Sequence, residues 1–298
     1  MKLGLALGSG GARGWVHLGV IRRLEEIGVA PDVIAGCSMG ALVGAAWAGG
    51  RLEALEGWAR GLSMQKFASY IDLRPSSGGL VRGMGIGALL AEIGVPADFA
   101  ALERPFLAVA TDMQTGREIW LKDGNVHEAV RGSVGIPGVF QPYKRGDHWL
   151  LDGGLTNPVP VTAARALGAE VTISVNPNAK SGRSYWESKP KQGALAEMLA
   201  NPALRRHLPE TWLSAVSAGE SRETPPQYMD VVSTSIDILT DFLRQTRNAI
   251  DPPDVALEAD LQQVMTLELY RVDEGIAEGR RLVDANRAAI EAAAGRGA

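Results

Sequence analysis

The chain has 298 residues, 46% hydrophobic and 21% charged, with a net charge of −4 and a pI near 5.7. That length supports one large α/β domain with an ample buried core, and the acidic balance removes any electrostatic case for nucleic acid. A single cysteine, Cys37, excludes an intrachain disulfide and a cysteine-cluster metal site, and the four histidines show no ligand spacing.

Leu3 to Leu7 reads as a first buried strand, too short for the apolar region of a signal peptide. Gly8-Ser9-Gly10-Gly11-Ala12-Arg13-Gly14 follows as a glycine-rich loop. Trp15, Leu18, Ile21, Leu24 and Ile27 then keep a helical period, and Gly28 stands where a C-cap glycine belongs. Asp32 to Ala35 is the next strand, completing a parallel, right-handed βαβ unit. The loop fails the dinucleotide spacing, since the sixth residue from Gly8 is Arg13. It is either a tight turn or a nest of N–H groups for an oxyanion.

The second strand runs into Gly36-Cys37-Ser38-Met39-Gly40 and then into small and apolar residues with helical character. Strand, sharp turn and helix with serine at the apex is the pattern of a nucleophile elbow. Gly36 and Gly40 supply the near-absence of side chains that such a turn needs. Val33 to Gly50 carries no charge, yet is too rich in Gly and Ala for a membrane span and reads as buried strand, elbow and helix.

Leu52 to Leu62 is a helix. Arg74 to Gly87, dense in Gly and Ser, is a lid, a membrane-touching edge or a plain long connection. Phe106 to Thr111 and Glu118 to Leu121 form a hairpin, and Val126 to Gly132 a short helix. Ile136 to Pro142 is non-helical and is expected near the site. Trp149 to Leu151 delivers Asp152-Gly153-Gly154, and Asn157 to Pro160 opens a helix reaching Leu167. Val171 to Val175 is the last core strand. Residues 178–231 read as long loops. Val232 to Asn248 is an amphipathic helix, Val255 to Leu257 an edge strand and Glu274 to Ala294 a terminal helix.

A serine hydroxyl needs a base. His127, His148 and His207 do not sit where a hydrolase histidine belongs, although His148 shares strand parity with Asp152. His17 reads as packing or orienting. Asp152 is the better candidate: it ends an apolar strand, and two glycines let its carboxylate approach another backbone.

Gly8–Gly14, Gly36–Gly40 and Asp152-Gly153-Gly154, in this order, resemble the patatin-like phospholipases. The wider phrasing resembles the bacterial RssA-like branch: Gly79–Gly83, Ala108–Asp112, Ile136–Gly138 and Asp251–Asp254. The resemblance implies a Ser38/Asp152 dyad with no histidine, metal or cofactor, and an oxyanion hole from Gly10, Gly11, Ala12, Arg13 and Gly14. The family's first motif glycine is replaced here by Ser9, which still has an N–H. Arg13 either fixes the loop or helps bind an anionic substrate.

The expected fold is a three-layer α/β patatin-like sandwich with a mostly parallel central sheet. Residues 1–178 form its catalytic core. An α-rich C-terminal extension, 179–298, packs on the same domain and is loop-rich over 179–231 and helical over 232–298. The expected function is a serine acyl hydrolase acting on phospholipid or lysophospholipid esters. The alternatives are a soluble carboxylesterase or thioesterase, and a non-hydrolytic regulatory protein that keeps the fold. A cytoplasmic protein is expected, with peripheral membrane contact and homo-oligomerisation left open.

Overall fold

In this computed structural model, residues 1–63, 84–180, 184–186, 225–226 and 228–295 are described. The chain divides into two compact units, Met1–Ser181 with Leu239–Ala298, and Gly182–Ile238. The expected lid or connection falls largely outside the described residues, as do most of 178–231 and His207.

The first unit is built on a sheet that is eight-stranded among the described residues. Strands β1 (Leu3–Leu7), β2 (Val33–Cys37), β3 (Phe106–Asp112), β7 (Val171–Asn176) and β8 (Val255–Glu258) run parallel in the order β3-β2-β1-β7-β8. β4 (Glu118–Leu121) returns antiparallel along β3, as the hairpin pattern predicts. β5 (Tyr143–Arg145) and β6 (His148–Asp152) form a second hairpin. Sequence pattern alone points only to β6, because Tyr143–Arg145 is too short and polar to show alternation.

Side-chain alternation explains the layers. On β1, Leu5 and Leu7 face one core and Ala6 the other; on β2, Ile34 faces the first and Val33, Ala35 and Cys37 the second. The first, larger core lies under α1 (Val16–Glu26), α2 (Met39–Ala48), α3 (Leu52–Arg60), α4 (Met84–Glu92) and α5 (Val126–Ser133). The second lies under α6 (Val161–Ala166). Both faces of a parallel sheet are thus covered, which is why its strands read as apolar runs.

Two boundaries differ from expectation. Met84–Gly87, expected in a loop, begins α4, whose later Leu89 and Leu90 are buried and anchor it despite two glycines. The expected terminal helix is two, α8 (Val272–Ala285) and α9 (Arg287–Ala293), broken at Asn286, whose side chain caps back onto the Leu282 carbonyl. The amphipathic helix is α7 (Tyr228–Ile250).

Helix α8 packs on α1 through glycines. A Cβ on Gly279 would stand 2.2 Å from the Val16 carbonyl oxygen, and one on Gly19 2.1 Å from that of Ile276. Gly279→Val therefore has to push these backbones away from each other and should cost at least ~2–3 kcal/mol, lowering the urea midpoint. Gly57, inside α3, has open space around its absent Cβ. Gly57→Ala should instead raise stability by about 0.5–1 kcal/mol through helix propensity.

Candidate active site

The register of β3 explains how the site is assembled. On one edge of β3, β4 pairs with Ala108 to Thr111. The other edge carries two strands end to end. β2 stops with Cys37 opposite Val109, and β6, arriving from the opposite direction, stops with Asp152 opposite Ala110. Ser38 and Asp152, 114 residues apart in sequence, are therefore neighbours where two strands meet on a shared template.

Ser38 has φ 54 and ψ −120 and is, among the described residues, the one non-glycine with positive φ. Such strain persists only where the surroundings over-determine it. Here they do: a Cβ on Gly40 would lie 2.1 Å from the Leu7 carbonyl oxygen, and one on Gly36 2.5 Å from that of Gly40. The turn is clamped against the end of β1. Helix α2 starts at the next residue, Met39, and directs its N-terminus at the serine.

The Ser38 hydroxyl donates to Asp152 Oδ2 at 2.7 Å, and both residues are buried. The carboxylate also accepts from Gly135 N–H on Oδ2 at 3.2 Å and from Gly154 N–H on Oδ1 at 2.9 Å. Burial outweighs these three bonds and holds the Asp152 carboxyl above the ordinary aspartate range. Gly153 must be glycine, since a Cβ there would meet the Val109 carbonyl oxygen at 2.2 Å. The neighbouring Cys37 stays a thiol, its pKa pushed up by burial and then by the charge of Asp152.

The glycine loop lies beside the elbow. Its N–H groups are not equally available, and this narrows the expected hole. Ala12 N–H donates to the Thr266 carbonyl and Arg13 N–H to that of Gly10. The loop turns into a 3₁₀ segment at Gly11–Trp15, which spends these donors internally or on the C-terminal part of the chain. Gly10 and Gly11 N–H have no partner among the described residues, and neither does Met39 N–H at the start of α2.

Arg13 is buried, and its guanidinium donates to the Val264 carbonyl and to Asn178 Oδ1. Asn178 in turn donates to the Ser9 carbonyl, so Arg13 and Asn178 fix the loop to its surroundings.

A family model described as patatin-like phospholipase matches residues 5–165. The chain belongs to this family. Membership supports lipid acyl hydrolysis as the general class of activity. An uncharacterized NTE family protein of Mycobacterium bovis is 30% identical, with 94% of this chain and 90% of that protein covered. Patatin-like phospholipase domain-containing protein 7 of Mus musculus is 33% identical over 58% of this chain and 13% of its own length. Among solved structures, VipD from Legionella pneumophila aligns at a TM-score of 0.44 and 13% identity, covering 95% of this chain and 66% of that one.

Within this patatin-like fold the described histidines are all occupied away from the dyad. His148 Nδ1 meets Asp112 Oδ2 at 3.2 Å on an exposed strand end, despite its parity with Asp152. His127 bonds the Val95 carbonyl. His17 Nε2–H donates to the Gly8 carbonyl at 2.8 Å, and burial lowers its pKa to about 4, so the ring is neutral.

Several contributors to the site escape the sequence. Ser133 ends a short helix and Gly135 follows it, neither in a local motif, and Thr266 and Asn178 sit in stretches without periodicity. Their roles arise from tertiary contacts alone. Among the described residues no helix is long and apolar enough to cross a membrane.

Proposed function

We propose that this protein is a serine hydrolase of lipid acyl esters, of the phospholipid or lysophospholipid class, working through a Ser38/Asp152 dyad. The observation that carries the reading is the 2.7 Å hydrogen bond from a strained elbow serine to a buried carboxylate. Asp152 accepts the Ser38 proton as Oγ attacks the ester carbonyl. The oxyanion forms beside the N–H groups of Gly10, Gly11 and Met39, which have no partner among the described residues, at the positive end of α2. The alcohol leaves with the proton from Asp152. Water, deprotonated by the same carboxylate, then releases the fatty acid and restores Ser38.

Exposed Trp120, Trp149, Leu239 and Phe242 support substrate taken from a lipid surface by peripheral contact. The test is labelling with a fluorophosphonate ester, in which Ser38 Oγ bonds phosphorus and fluoride leaves. Intact mass should show one adduct, mapped by peptide analysis to the Ser38 peptide and missing from Ser38→Ala. Hydrolysis should then rise with acyl chain length and with presentation in vesicles. Preference for short soluble esters would point to the soluble esterase, and a folded wild type that takes no adduct would overturn the dyad.

A further inference from the structure

Ser38 reaches its strained conformation with one backbone group accounted for in an unusual way. Its N–H donates to the hydroxyl of Ser133, at 2.9 Å. That hydroxyl donates onward to the Val109 carbonyl at 2.5 Å. Ser133 is completely buried at the C-terminal end of α5. A hydroxyl has one proton to give and lone pairs to accept, so the relay from Ser38 N–H through Ser133 to Val109 saturates its one donor.

The place of this relay matters. Val109 is the last β3 residue opposite β2, and the next, Ala110, is opposite Asp152. Ser133 therefore ties the nucleophile's own peptide to the β3 residue at which β2 gives way to β6. The strand that sets the position of the base also sets that of the nucleophile. The relay has a second consequence: it removes Ser38 N–H from the set that can face an oxyanion.

We propose that Ser133 is a positioning residue for Ser38, holding the elbow peptide in the orientation that keeps Oγ on Asp152. This rests on the dyad reading above. Without the hydroxyl, Ser38 N–H is buried with no acceptor, and the φ 54 conformation loses one of the contacts that enforce it. Relaxation of that peptide would swing Oγ away from the carboxylate, and small displacements of a nucleophile have large rate effects.

The test compares fluorophosphonate labelling of wild type, Ser133→Ala and Ser133→Thr, resolving the maximal rate kinact from the half-saturating concentration KI. Ser133→Ala should lower kinact about 10- to 100-fold, with KI unchanged. Ser133→Thr, which keeps the hydroxyl, should restore most of the rate. A general loss of folding would not give a kinact-only effect rescued by a hydroxyl. Should the alanine variant fail to fold, Ser133→Cys offers a weaker acceptor in similar volume and should lie between wild type and complete loss. A folded alanine or cysteine variant labelled at the wild-type kinact would overturn the proposal while leaving the dyad intact. A wild type that takes no adduct overturns the dyad itself, and the positioning role with it.

Discussion

Asp152→Asn should slow fluorophosphonate labelling of Ser38 by about 10²–10⁴-fold, the usual worth of a positioned base. The amide cannot take the Ser38 proton. It also fits the pocket poorly. Asp152 receives a hydroxyl donor from Ser38 Oγ and amide donors from Gly135 N and Gly154 N, with the Cys37 thiol a weak fourth at 4.0 Å, spread over both carboxylate oxygens. An amide offers only one oxygen, so its NH₂ must face at least one donor. The measurement is the rate of adduct formation by intact mass on a variant shown to be folded. A rate within tenfold of wild type would remove Asp152 from the role of base.

The pH dependence follows from the same carboxyl. Burial is the largest influence on it, and the bonds from Ser38, Gly154 and Gly135 oppose burial without cancelling it. Only the ionised form accepts a proton. The labelling rate should therefore fall as pH drops through a midpoint above the ordinary aspartate value, and level off at higher pH. The sign for stability is opposite. The native state holds this proton more tightly than the unfolded chain does. Stability contributed by Asp152 therefore declines as pH rises from the ordinary aspartate value to the raised one. The site is most reactive in the form that burial least favours, as expected where function and stability conflict.

What is legible in the chain is local. The strands and helix of the βαβ unit, the Ser38 elbow, the β3–β4 hairpin and the strand ending at Asp152 each announce themselves in short contiguous stretches, because apolar runs, helical periods and glycine turns are local signals. The meeting of β2 and β6 on one edge of β3 is not local, and neither is the use of Thr266 and Asn178 to hold the glycine loop. The loop shows the difference most plainly. Counting its residues offers five donors from Gly10 to Gly14, whereas the fold spends those of Ala12 and Arg13 on carbonyls. Ser133 follows the same logic, since nothing near it in sequence marks a serine whose partner lies 95 residues away.

Acid should destabilise the fold through His17, and the size can be stated. The ring is fully buried, and its pKa drops from the ordinary 6.5 to about 4, desolvation being the dominant cause and the bond to the Gly8 carbonyl opposing it. Below pH 6.5 the unfolded chain takes a proton that the native state refuses. Stability from this group is thus complete above 6.5 and is lost as pH falls toward 4, by about 3 kcal/mol over the window. Urea unfolding at intervals from pH 7 to 4 should show this loss in wild type. His17→Gln keeps an N–H for Gly8 but cannot be protonated, and should show a shallower slope. Equal slopes would mean that the buried ring is not the acid-sensitive group. Since His17 holds the carbonyl of the residue that opens the glycine loop, its protonation should also disturb Gly10 and Gly11. As pH approaches 4, where the native ring itself takes a proton, reactivity should then fall more steeply in wild type than in His17→Gln. That difference separates the loop's response from the titration of Asp152, which both proteins share.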